Sequence, residues 1–132
     1  MNKEFKPISE TNVIPQNGRV LIKVTNKNFP VIGIINDKIP SGLDIDIELK
    51  IVGTARENFN IGDEVILSLN GMADDNNKIM DRDNERSMAK IKEHLDSLSH
   101  GERLELTTKG TTYEIIEYLL VPDYEILATI KK

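Results

Sequence analysis

Apolar residues recur with period two along much of the chain, and each such run predicts a strand with one buried face. In Arg19-Val20-Leu21-Ile22-Lys23-Val24 the residues Val20, Ile22 and Val24 share a face. Between Asp44 and Val52, Ile45, Ile47, Leu49 and Ile51 alternate with Asp44, Asp46, Glu48 and Lys50. Shorter runs follow at Ile61–Leu69, Leu104–Thr107, Tyr113–Tyr118 and Glu125–Ile130. Over Glu85–Leu98 the period changes. Met88, Ile91, Leu95 and Leu98 form one stripe of an amphipathic helix, with Asn84 placed to cap it and Gly101 to stop it. Six short strands and one helix predict a mainly all-β domain, a small barrel or sandwich with an inserted α-helix.

Two stretches break the pattern. From Thr25 to Leu43, Pro30, Gly33, Pro40 and Gly42 punctuate a segment that still carries Phe29, Val31, Ile32, Ile34, Ile35 and Ile39. So much β-branched apolar surface must be covered, either by the segment's own core, by pairing as an extra edge strand, or by a partner. Residues 72–84 are mostly polar, with four Asp and three Asn, and belong to a region 71–110 that interrupts the strand pattern. Residues 1–13 read as a polar N-terminal extension, and 14–132 as a single domain.

Composition narrows the function. A net charge of −5 disfavours a surface that tracks phosphates, so no nucleic-acid partner is expected. No run approaches the roughly 18 apolar residues that a membrane helix needs, and the first residues lack the apolar core of a leader, so no membrane partner is expected and the expected location is cytoplasmic. With no cysteine, disulfides and thiolate–metal sites are excluded. Asp81, Asp83 and Glu85 resemble the start of a calcium loop, but Arg86 stands where Gly is needed and Lys92 where a bidentate Glu belongs. His94 and His100 are six apart, so they do not share a helix face as paired ligands would. No nucleophile, base, metal ligand or cofactor-binding residue is assignable, and no enzyme activity or cofactor is expected.

Taken in order, the strand signals resemble the GroES family, the ring-forming co-chaperonins that cap a chaperonin chamber. The segment Pro15-Gln16-Asn17-Gly18-Arg19-Val20-Leu21-Ile22-Lys23 looks like that family's first strand, and Leu49-Lys50-Ile51-Val52-Gly53 like the strand after its mobile loop. Ile61-Gly62-Asp63-Glu64-Val65-Ile66 is similar to its Gly-Asp turn and strand, and Glu125-Ile126-Leu127-Ala128-Thr129-Ile130 to its closing strand. Gly33-Ile34-Ile35 falls where the family carries its aliphatic loop anchor.

The resemblance covers residues 14–69 and 112–131. It implies a GroES-like barrel with a mobile loop over 25–43 and a homo-oligomeric ring, a heptamer. The ring's contact with the ATP-bound chaperonin would run through Val31, Ile32, Gly33, Ile34 and Ile35. It further implies that the last strand pairs with the first strand, near Arg19–Val24, of a neighbouring subunit. The chain departs from the family in three ways: no room for a roof hairpin between Gly53 and Gly62, an inserted segment over 71–110, and Asn36 where a third aliphatic is usual. Short roofs and insertions resemble virus-encoded co-chaperonins, such as those of phages. The alternative function is a capsid-associated or virion structural protein that reuses the same barrel.

Overall fold

The computed structural model describes residues 13–36, 46–79 and 85–130. Six strands form one antiparallel sheet: β1 (Arg19–Pro30), β2 (Ile47–Thr54), β3 (Glu64–Leu67), β4 (Lys78–Ile79), β5 (Thr112–Pro122) and β6 (Ile126–Ile130), in the order β4-β5-β1-β2-β3-β6. Among the described residues four α-helices accompany them: α1 (Val31–Asn36), α2 (Leu69–Ala73), α3 (Met88–Asp96) and α4 (His100–Thr108). The protein is mostly β, as the alternation requires.

The first strand begins at a tight turn. Asn17 and Gly18 both have positive φ, and the Arg56 guanidinium lies 2.5 Å from where a Cβ on Gly18 would stand. The left-handed backbone at position 18 favours glycine, and a side chain there would also displace the Arg56 guanidinium. β1 is the centre of the sheet, with Val20↔Thr54 through Asn26↔Ile47 on one side and Arg19↔Pro122 through Pro30↔Thr112 on the other. A strand with neighbours on both edges and cover on both faces explains three consecutive fully buried residues, Val20, Leu21 and Ile22.

The two faces build separate cores. Val20, Ile22, Val24, Ile51, Val65, Leu119 and Val121 make the inner one, with Phe59, Met72 and Ile126 packed against it. Leu21, Val52, Ile116 and Tyr118 make the other. The sheet has to curl to hold them. β5 and β6 are joined only by the 3-10 turn Asp123–Glu125, yet three strands lie between them in the sheet order. Four strand spacings on a flat sheet come to about 19 Å, whereas four residue steps reach at most about 14 Å. The curl is held at the joint by Asp123 N–H donating to the Gly18 carbonyl, Ser68 N–H donating to the Glu125 carbonyl, and the Arg56–Asp123 ion pair at 3.1 Å.

Several expectations are corrected. Thr25–Asn36 is not a loop: β1 continues to Pro30 and α1 follows directly. Leu104–Thr107 is not a strand but the middle of α4, so the insertion holds two helices in its second half where one was expected. The six-strand count survives only because β4, unread in the sequence, replaces it. The caps also move. Ser87, not Asn84, caps α3, with its hydroxyl accepting from Lys90 N–H, and Gly101 lies in the first turn of α4 rather than ending α3. The stripe itself packs as an ordinary core face: Ile91 and Leu95 are buried with Phe29, Val31, Ile34 and Ile115, and Met88 and Leu98 pack against them.

Candidate functional site

The residues expected to touch a partner separate by environment. Val31, Gly33 and Ile34 are buried, whereas Ile32 and Ile35 are 38% and 39% exposed. A helical turn produces this division, because positions 31 and 34 lie three apart on one face while 32 and 35 lie three apart on the next. The buried pair faces α3 and Ile115. Of the five expected contact residues, only Ile32 and Ile35 present side chains to an approaching surface. Residues 37–43 of the expected mobile loop lie outside the described residues.

Exposed apolar side chains also gather around β6. Leu127 is 64% exposed and Tyr124 76%, and Ile66 and Ile130 are about half exposed on β3 and β6. A cleft of about 490 Å³ runs beside the strand, between Asn58 and Phe59 on one side and Tyr124, Leu127 and Thr129 on the other. β6 pairs with β3 through Glu64↔Ile130, Val65↔Thr129, Ile66↔Ala128 and Leu67↔Ile126, and among the described residues nothing pairs with its far edge. That edge carries Ile-Leu-Ala-Thr-Ile, without charge or proline, and so lacks the usual guards against strand addition.

The opposite end of the sheet is guarded. β4 is only two residues long, and beside it the backbone of Arg86 accepts from Ile116 N–H, covering β5. The expected pairing of the last strand with Arg19–Val24 of a neighbour is therefore overturned, since both edges of β1 are already filled within the chain. The run Val20-Leu21-Ile22 was the signal: three successive apolar residues mark a strand buried on both faces, and such strands lie inside sheets.

Among the described residues, the titratable side chains singled out in the sequence lie apart. His94 and His100 are exposed and lie on different helices, Asp81 and Asp83 are outside the described residues, and Glu85 is exposed. Among the described residues no group of three or more His, Cys, Asp or Glu side chains is placed to hold a metal ion. A shallow cleft of about 370 Å³ between α3 and β5 is floored by Ile91 and Tyr113, and Arg86 at its rim bonds Glu114 at 2.7 Å. Glu48 is a perturbed carboxylate: the Lys50 ammonium, hydrogen-bonded to it, and then Lys27 hold its pKa below the usual value. These are ion pairs of a strand surface, at 3.2 and 3.4 Å.

The fold and these surfaces define a class: a small β-rich protein with a curled sheet, one bare sheet edge and one partly exposed aliphatic helix. No protein-family model, curated protein or solved structure matches the chain. Among the described residues no helix is long and apolar enough to cross a membrane.

Proposed function

We propose that this chain is a ring-forming assembly protein of the co-chaperonin kind, which caps a chaperonin chamber and leaves ATP turnover to its partner. The observation that supports the reading is the bare, uncharged edge of β6 at the end of a curled sheet. Docking each bare edge on a second surface of the next subunit, repeated around a closed ring, covers every such edge. The resemblance sets the expected number at seven. Ile32 and Ile35 are the contacts toward the chaperonin. Burying a whole aliphatic side chain contributes roughly 1.5–3 kcal/mol, and these two are already more than half covered, so one subunit binds weakly. Several copies on a ring turn weak sites into usable avidity.

A second reading is favoured by a specific observation. Val31, Gly33 and Ile34 are packed, as suits a structural component of a virion better than a loop that must reach a partner. Native mass spectrometry separates the two. A seven-membered ring that joins an added bacterial chaperonin only with ATP is the outcome expected of a co-chaperonin. A ring that ignores the chaperonin with and without nucleotide points to the structural role, and a monomer at micromolar concentration defeats both.

A further inference from the structure

The sequence of α1 and its conformation disagree. Val31-Ile32-Gly33-Ile34-Ile35-Asn36 contains four β-branched residues, a glycine and an asparagine, none of them a good helix former. Six residues are also far fewer than a helix needs to persist unaided, and neither end carries a charge that complements the helix dipole. What holds the segment helical is tertiary: Val31 and Ile34 are each 1% exposed, packed with Ile91 and Leu95 of α3 and Ile115 of β5, with Leu106 of α4 beside them. The N-terminal end is tied by Val31 N–H donating to the Thr111 carbonyl at 3.1 Å. Upstream, the chain is already extended, since β1 runs without interruption into Val31.

We propose that α3 and α4 form an intramolecular cover over Val31 and Ile34, and that residues 31–36 are helical only while docked and become extended when the cover lifts. The composition prefers the extended state and the packing imposes the helical one, so weakening the α1–α3 contact moves the balance toward the extended state. In the closed state only Ile32 and Ile35 are offered to an apolar partner surface; opening adds Val31 and Ile34. Closure thereby masks half of the aliphatic side chains of the segment. The inference rests on α1 and its packing alone and stands whether or not the ring binds a chaperonin.

Amide hydrogen exchange on the full chain tests it, with Val20–Val24 as the internal reference for the sheet. Leu95→Ala removes the floor beneath α1 and is expected to speed exchange over residues 31–36 by at least about tenfold while the reference stays within about twofold. Ile91→Val is the milder variant should Leu95→Ala fail to fold, with an expected acceleration of about threefold. The diagnostic variant is the double substitution Ile32→Ala with Ile35→Ala, at positions more than a third exposed. It removes apolar surface yet raises helix propensity, and is expected to slow exchange over 31–36 about threefold. Acceleration of segment and reference by the same factor, or exchange over 31–36 that is unmoved or faster in the alanine pair, overturns the switch.

Discussion

Ile34 and Ile35 are chemically identical neighbours whose substitutions should give unequal results. Ile34 is 1% exposed between α1 and α3, so Ile34→Ala should cost about 2–5 kcal/mol in a denaturant titration. Ile35→Ser removes a side chain already 39% open to water and should cost less, about 1 kcal/mol. Equal effects at both positions would mean that α1 does not pack as described. A polar residue decides a second local arrangement. Asn77 is 3% exposed; its amide donates to the Gly71 carbonyl, and its oxygen accepts from Arg19 Nη1, which also donates to the Leu120 carbonyl at 2.9 Å. Asn77→Ala removes both of these bonds at a buried position, although Arg19 keeps the Leu120 carbonyl, an expected loss of about 1–3 kcal/mol. Glu48 sets a small acid response. Its pKa is depressed, so the stability it contributes is present above the ordinary value of about 4.3 and is lost as pH falls through the lower folded value. Glu48→Gln should therefore reduce the drop in Tm between about pH 5 and pH 3.

Elements follow local signals where packing agrees with them. Helix α4 starts at a reciprocal capping box: Ser99 Oγ accepts from Glu102 N–H at 3.2 Å and the Glu102 carboxylate accepts from Ser99 N–H at 3.1 Å. The Ser-His-Gly-Glu spacing was readable in the sequence, and it outranks the two-residue alternation of Leu104 and Leu106 that suggested a strand. With only three or four residues, period two and a helical spacing are hard to tell apart, and the cap decides. Ser99→Ala should fray the first turn of α4, seen as faster exchange of its amides with the sheet unaffected, since no residue of α4 is fully buried. Helix α3 is the reverse case, legible from its stripe because Met88, Ile91, Leu95 and Leu98 recur at three- and four-residue spacings that a helix, and not a strand, brings to one face. Helix α1 could not be read at all, because its own residues argue against the conformation that its neighbours impose.

At the scale of the whole molecule the deciding feature is the unguarded edge of β6. Lys at Leu127 and Thr129 adds charge to two exposed positions without disturbing the core, which holds Ile126 from the same strand. The double substitution Leu127→Lys with Thr129→Lys should convert an oligomer to monomers by light scattering while leaving the Tm of the subunit nearly unchanged, because charge on an edge opposes strand addition. Retained oligomers in a folded variant would place the contact elsewhere. Removing the strand outright is a poor test, since Ile126 packs in the inner core and Glu125 hydrogen-bonds Ser68 at the base of α2.

Periodicity alone located the β-rich class, the helix bearing Leu95 and five of the strands, read over 19–24, 44–52, 61–69, 113–118 and 125–130, because each rests on a repeat that local geometry enforces. The third of these shortens to Glu64–Leu67, with Leu69 opening α2, the last begins at Ile126, and residues 44–45 lie outside the described residues. Which strands are neighbours was decided only by the tertiary structure. β1 became central, and closed to a neighbouring subunit, because β2 and the distant β5 claim its two edges. The tertiary structure also decided the state of Val31–Asn36, where contacts with α3 and β5, remote in sequence, outweigh the extended preference of four β-branched residues.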